Sequence, residues 1–422
     1  VDVNLQKDKI QNEAVAKWTA NDKKGTTEII TGLGKTFLAL KALYTMPKNQ
    51  QDTVHLFLAE QKDRQQDLIK DVVKFNAIYK CNVMADYNLQ FQCYQTVRNW
   101  KGYKLGLVIA DEVHDSMSIE NYKFYTNNSY NSLLGLTALF NGDTTYFIGD
   151  RPELEEIFGK RLITKQDLLD HVAPICYTYT VDQGQVEGTS RKLNIFVVET
   201  ELDSVTKNVE CGSKTHTFMS TETLAYEYAA KKVNLALNMK QGLLEDYYKY
   251  NESKNLNLFR ASAKRCKLLY NLPSKIKATQ SILKLLVDKT VVFSNSLDAL
   301  TEVTPWVVSS KKTDTQNESV RTMFDCGTIK TIGSFKKLKQ GANLEKADNC
   351  ILMSYYSTEV DFVQRIGRLR QHMDKVGNVF VLVTKDTQEE VWLSKMMENA
   401  TQYNIFKGTL TECLTKYKDP DA

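Results

Sequence analysis

Glu28-Ile29-Ile30-Thr31-Gly32-Leu33-Gly34-Lys35-Thr36 is the stretch on which the fold turns. Residues 28–31 read as a short strand, and residues 37–44 (FLALKALY) follow with helical spacing. Between them lies a glycine-lysine-threonine turn. Glycine lets backbone N–H groups approach an anion closely, and a helix N-terminus adds partial positive charge. Such a turn between strand and helix reads as a phosphate loop, in which Lys35 would reach the β- and γ-phosphates and Thr36 would ligate Mg2+. Ile29 stands where the full G-x-x-x-x-G-K-[ST] pattern has its first glycine.

Working outward, residues 54–59, 105–110 and 133–136 read as apolar strands, and residues 63–75 are amphipathic through Leu68, Ile69, Val72 and Val73. Apolar strands alternating with helices predict a parallel sheet covered on both faces. Residues 181–190 (VDQGQVEGTS) are polar and read as a linker. A strand is expected at 193–199. Residues 221–288 read as largely helical, with breaks at 250–257 and at Leu272-Pro273-Ser274. Strands resume at 290–293, 306–309, 329–332, 350–353 and 379–383. Asp386 with Glu389 predicts a capped helix reaching about residue 399. The expected fold is α/β, with two parallel-sheet domains in tandem. The first covers residues 1–186. The second covers 191–400 with a helical insertion at about 221–288, and a weakly patterned tail occupies 401–422.

Composition narrows the classes. The chain has 422 residues, 42% hydrophobic and 25% charged, which describes an ordinary globular protein of two or three domains. No apolar run approaches the ~20 residues of a membrane span, and the first residues lack a basic-then-apolar leader pattern. No membrane partner and a cytoplasmic location are expected. The net charge of 55 − 51 = +4 neither demands nor excludes a polyanion. Eight cysteines form no C-x-x-C pair and five histidines are scattered, so free thiols rather than a zinc site are expected. Only eleven residues are arginine, yet Arg365, Arg368 and Arg370 fall within six positions. A tight cluster of a rare residue points to planar, bidentate contact with phosphate.

Two further motifs carry chemistry. Asp111-Glu112-Val113-His114 ends an apolar strand, 76 residues after Lys35 (111 − 35 = 76). The carboxyl ends of parallel strands are where such sheets bind ligands. Asp111 would hold Mg2+ through water, and Glu112 would orient or deprotonate an attacking water. Alone, an acidic turn is a commonplace solvated strand end. The phosphate loop upstream changes that reading. The second motif is Gln364-Arg365-Ile366-Gly367-Arg368-Leu369-Arg370-Gln371. Arg365 and Arg368 share a helix face. Gly367 argues against a plain solvated helix, since a mid-helix glycine costs ~1 kcal/mol. Guanidinium groups there would stabilise charge on a γ-phosphate.

Together, and in this order, these motifs resemble those of the superfamily 2 helicases and translocases across about residues 5–395. Gln11 resembles the adenine-reading glutamine upstream of the phosphate loop. Leu136-Thr137-Ala138, 26 residues after Asp111 (137 − 111 = 26), looks like the motif that links ATP state to nucleic acid. Phe293-Ser294-Asn295 resembles the fourth motif, and Gln340-Gly341-Ala342-Asn343-Leu344 the fifth.

The resemblance implies two RecA-like domains with ATP between them, Mg2+ at Thr36 and Asp111, and a nucleic acid running across both. It gives catalytic roles to Lys35, Glu112 and Arg368. Gln11, Gly32, Gly34, Lys35, Thr36, Asp111, Gly341, Gln364, Arg365 and Arg368 would contact the nucleotide. His114, Thr137 and Ala138 would couple the two activities, and Ser294, Asn295, Lys336, Lys337 and Gln340 would contact the strand. The lysines at 336, 337 and 339 read equally well as a solvated loop.

The chain departs from the family at Leu139, where threonine is usual, and at Gln371, where a second arginine is usual. Arg370 lies about 100° round the helix from that position.

Residues 151–159 (RPELEEIFG) and 170–174 (DHVAP) are similar to segments of DNA enzymes, including UvsW-like and RecG-like branch-migrating helicases and restriction motors. The expected partner is DNA, branched or forked, and the expected state a monomer. Richness in Lys, Asn and Tyr points to an AT-rich genome such as a phage, and then to the host cytoplasm. The alternatives are a double-strand DNA translocase or restriction-type motor, an RNA helicase, and an inactive nucleic-acid-binding module. No PD-(D/E)xK or HNH nuclease pattern is visible. Nothing before Gln11 forms a domain, so a strand-separating element is expected in 221–288 or the tail. The competing reading of 221–288 is an arm that only braces the second domain.

Overall fold

The computed structural model describes residues 3–48, 53–60, 63–149, 151–213, 216–238, 252–335, 347–355, 362, 365–367, 369, 375–398 and 403–419. They fall into two compact units that divide between Arg191 and Lys192.

The first unit is built on β1 (Lys24–Ile29), β2 (Val54–Ala59), β3 (Leu89–Cys93), β4 (Lys104–Asp111) and β5 (Ser129–Thr137). A small antiparallel pair, β6 (Thr145–Phe147) with β7 (Leu162–Thr164), precedes β8 (Ile175–Tyr179). The main sheet has the order β3-β2-β4-β5-β1-β8, with every pairing parallel. Leu56, Leu58, Val108, Ala110 and Leu133 are buried against Met117, Tyr122 and Phe124. Each such side chain contributes roughly 1.5–3 kcal/mol.

β1 runs earlier than the expected 28–31 because its centre is polar. Thr26 and Thr27 are fully buried, and their hydroxyls donate to Ala173 O at 2.7 Å and Gly135 O at 3.4 Å. Gly135 faces Thr26 so closely that a Cβ there would lie 2.3 Å from Thr26 Oγ1. Residues 181–186 are not a linker but a short helix, Val181–Val186, closed by a capping box of Thr180 with Gln183.

The second unit begins with β9 (Leu193–Thr200), followed by an antiparallel hairpin, β10 (Val209–Ser213) with β11 (His216–Ser220). Helices Glu222–Asn238, Glu252–Tyr270 and Pro273–Leu283 occupy the expected helical stretch, with the break at Leu272-Pro273 as read; residues 252–257, within the other expected break, are helical instead. The remaining strands are β12 (Thr290–Ser294), β13 (Val307–Ser309), β14 (Thr331–Phe335), β15 (Asn349–Leu352), β16 (Gly377–Thr384) and β17 (Asn404–Thr409). Their order, β13-β14-β12-β15-β16-β9-β17, is again wholly parallel.

The tail expected to be unpatterned supplies β17 and the helix Leu410–Lys418, whose Tyr417 packs on Phe196 and Phe380. β17 is an edge strand with exposed residues, so it lacks the apolar run that marks the central strands. The helix Gln388–Met396 is capped by Thr387, whose hydroxyl accepts from Glu389 N, rather than by Asp386. No helix among the described residues is long and apolar enough to cross a membrane.

Candidate active site

β1 leads straight into the glycine turn. Gly32 has φ +90° and Gly34 φ +75°, left-handed conformations that glycine adopts without a Cβ penalty. Gly34 caps the helix Lys35–Tyr44, which begins at the lysine itself. The loop is braced from behind by Gln11, carried on the helix Val3–Ala20. Its Nε2 donates to Leu33 O at 2.8 Å and Gly34 O at 3.4 Å. Thr36 is buried at the first turn, and Thr31 Oγ1 is buried without a hydrogen-bond partner among the described residues.

β4 delivers the acidic motif beside this loop. Asp111 is 4% exposed; its backbone oxygen accepts from Tyr94 Oη at 2.8 Å, and its Oδ2 accepts from Arg64 Nε at 3.2 Å. Glu112 then turns into the left-handed region at φ +48°, unusual for a residue with a side chain. That turn brings Glu112 Oε1 to 2.9 Å from Lys35 Nζ. Burial works to raise the Glu112 carboxyl, but the pull of Lys35, His114 and Arg64 outweighs it and holds the group below the usual carboxylate range. Glu112 is therefore ionised at neutral pH. Its second oxygen, Oε2, is buried without a hydrogen-bond partner among the described residues and lies 3.5 Å from His114 Nδ1.

His114 continues the chain to β5. Its Nδ1 is 3.0 Å from Thr137 Oγ1, and Thr137 donates its only hydroxyl proton to Leu139 O at 2.8 Å. Thr137 must therefore accept from His114, which fixes the proton on Nδ1. Burial lowers the imidazole pKa to about 4, so the ring is neutral. Thr137 and Ala138 are both buried. Leu139, the departure from the family pattern, contributes its backbone carbonyl, which any residue would supply.

In the second unit Arg365 is 2% exposed. Its Nη1 donates to Ser354 O at 2.6 Å and its Nη2 to Asn295 Oδ1 at 3.2 Å, while the guanidinium stands 5.6 Å over the Phe293 ring. Ser294 is also buried, its hydroxyl accepting from Ser296 N at 3.1 Å. Asn295 N donates to Ser354 Oγ at 2.6 Å. These side chains tie the ends of β12 and β15 together. Lys336, Lys337, Gln340, Gly341, Gln364, Arg368, Arg370 and Gln371 lie outside the described residues.

A family model described as "Type III restriction enzyme, res subunit" matches residues 4–142, the span that holds Gln11, the glycine loop, the acidic motif and Thr137. The DNA 3'-5' translocase XPB2 of Sulfurisphaera tokodaii is 24% identical over 403 residues, covering 91% of this chain and 84% of that one. These findings support a superfamily 2 helicase or translocase. Among solved structures, S. cerevisiae Dbp5 bound to RNA and ADP BeF3 aligns with a TM-score of 0.57 at 10% identity, over 99% of this chain and 96% of that one. The ATP-dependent Type ISP restriction-modification enzyme LlaBIII bound to DNA aligns with a TM-score of 0.56 at 12% identity over 95% of this chain. This chain spans only 31% of that enzyme's length. The two parallel-sheet units are alike in fold to the RecA-like domains of these solved structures.

The first domain's residues fit Mg2+ and ATP. Two left-handed glycines, a helix N-terminus, an ammonium, a buried hydroxyl and a buried carboxylate converge there, and Thr31 Oγ1 has no hydrogen-bond partner among the described residues. Lys35 and the loop amides would hold the phosphates; Thr36 and Asp111 would hold the metal. Sequence reasoning missed Arg64. It precedes no motif, and its reach to Asp111 crosses 47 residues of chain. The scarcity of arginine was its only mark.

Proposed function

We propose that this protein is an ATP-driven DNA motor, a helicase or translocase that remodels branched or forked DNA in the cytoplasm. The observation that carries the reading is the Lys35–Glu112 pair beside the phosphate loop, with His114, bonded to Thr137 at the end of β5, 3.5 Å from the second Glu112 oxygen. Bound Mg2+ and ATP would supply the phosphoanhydride bond and the charge that polarises it. Lys35 would leave Glu112 for the phosphates, which frees a carboxylate already ionised at neutral pH. Glu112 would then orient the attacking water and take its proton. Arg368 is proposed as the arginine that stabilises charge on the γ-phosphate. His114 Nδ1–H stands between Glu112 Oε2 and Thr137 Oγ1, so a change at the carboxylate is felt at Thr137 and at the Leu139 carbonyl.

DNA is favoured as the lattice because XPB2 is named a DNA translocase. The likeness to Dbp5, at 10% identity, speaks only for the fold. The branched-DNA preference rests on the resemblance of residues 151–159 and 170–174 to branch-migrating enzymes. A duplex translocase is the competing reading, favoured by the restriction-enzyme family model. The test is ATP turnover with no nucleic acid, single-stranded DNA, duplex, fork, four-way junction and RNA. Strongest stimulation by fork and junction is expected. Equal stimulation by plain duplex would point to a translocase, and stimulation by RNA alone would overturn the DNA reading.

A further inference from the structure

We infer that the outward face of the helix Glu252–Tyr270 in the second domain is a nucleic-acid contact surface. Arg260, Lys264 and Lys267 would grip backbone phosphates, and Phe259 would meet an unstacked base. The inference rests on the motor reading and names where part of the strand is held.

Charge arithmetic singles out this helix. It carries Lys254, Arg260, Lys264, Arg265 and Lys267 against Glu252 alone, 5 − 1 = +4, which equals the net charge of the entire chain. The rest of the protein sums to zero. The preceding helix, Glu222–Asn238, is balanced, with Glu222 and Glu227 against Lys231 and Lys232. Residues 221–288 as a whole carry 12 − 6 = +6, of which this helix holds +4.

Geometry gathers the charge on one side. Leu269 and Tyr270 are buried against Tyr226 and Leu272, anchoring the helix along its inner face. Arg260, Lys264 and Lys267 are exposed and spaced i, i+4, i+7, so they form one stripe. None of the three makes an ion pair among the described residues. Like charges at i, i+4 destabilise an isolated helix by a few tenths of a kcal/mol, roughly 0.2–0.5. A purely solvated face would relieve that with interspersed acids, and this face has none.

Leu256, four residues before Arg260, is 43% exposed on the same stripe, and Phe259, 72% exposed, flanks it about 100° round the helix from Arg260. An exposed aromatic ring flanking a row of cations suits a strand with accessible bases, since stacking is worth roughly 1–3 kcal/mol per base and tolerates any sequence. A strongly acidic protein would match the cations but leave the ring without a reason.

The test is the salt dependence of binding to labelled single-stranded and duplex oligonucleotides by anisotropy, over about 50–200 mM salt. Neutralising the stripe (R260Q/K264Q/K267Q) is expected to lower the slope of log K against log salt by about 0.9 per lost contact. Affinity near 0.1 M salt should fall on the order of 100-fold. Turnover without nucleic acid should stay unchanged, and the conservative set R260K/K264R/K267R should restore the slope. F259A should weaken single-stranded binding and spare duplex. Wild-type slope and affinity in the neutralised variant, on both lattices, would overturn the inference while leaving the motor reading intact. Failure of the wild-type protein to bind any nucleic acid would overturn both.

Discussion

Each domain contains a lysine paired with a glutamate, and the two pairs are built for opposite ends. Lys35 and Glu112 meet beside the glycine loop with 11% and 19% of their side chains exposed, and Glu112 Oε2 lacks a hydrogen bond among the described residues. Lys275 and Glu389 meet in the interior of the second domain at 1% exposure each. There each partner is held a second time: Lys275 Nζ also donates to Met353 O at 3.2 Å, and Glu389 Oε2 accepts from Thr384 N at 3.0 Å. A pair left partly unsatisfied at a strand end can exchange partners, which is what chemistry requires. A closed pair cannot, and its work is to fix the ends of β15 and β16 together.

That contrast can be broken by substitution. Lys35→Ala should abolish ATP turnover, and Glu112→Gln should lower it about 10²–10⁴-fold, the usual worth of a general base. The thermal midpoint should fall less in either than in a variant of the fully buried pair, because both side chains keep some contact with solvent. Lys275→Met should do the reverse. Removing one partner of a buried pair costs roughly 3–5 kcal/mol, measured by urea unfolding, because Glu389 is left as an unpaired buried charge. Either variant behaving like the other would erase the distinction.

Acid sharpens the comparison. His114 titrates at about 4 in the folded protein against 6.5 when free. Above pH 6.5 it is neutral in both states and its burial is unopposed. As pH falls from 6.5 through 4 the unfolded chain takes up the proton first, so stability is lost over that window, on the order of 3 kcal/mol. Glu112, also depressed, pushes in the same direction on acidification. His114→Gln should flatten the unfolding profile between those pH values.

The smallest effect is expected at Arg64. Its bond to Asp111 competes with a metal at the same carboxylate, and a partly exposed pair is worth up to about 1 kcal/mol. Arg64→Gln should lower the Mg2+ concentration that half-saturates binding of a fluorescent ATP analogue by roughly fivefold or less. A higher requirement would mean that Arg64 helps the metal rather than competing with it.

The same contrast explains what could be read from the chain. β2 and β4 were legible because a parallel strand buried on both faces is an unbroken apolar run. The glycine loop and Asp111-Glu112 were legible because their chemistry is contiguous. β1 was placed too late because Thr26 and Thr27 are satisfied by partners 147 and 108 residues away, and side-chain hydrogen bonds leave no trace in local hydropathy. β17 escaped for the opposite reason, since an edge strand keeps its exposed residues. The expectation that Arg365 contacts nucleotide came from motif position. The bonds of its guanidinium to Ser354 and Asn295 are contacts that spacing alone does not encode.

The central claim is that the Lys35–Glu112 pair drives a nucleic-acid-dependent motor. Steady-state ATP hydrolysis by wild type and Glu112→Gln, each with and without forked DNA, tests it most directly. The account predicts turnover that rises with DNA in the wild type and is lost in the variant under both conditions, with nucleotide binding retained. Undiminished turnover in Glu112→Gln would contradict it.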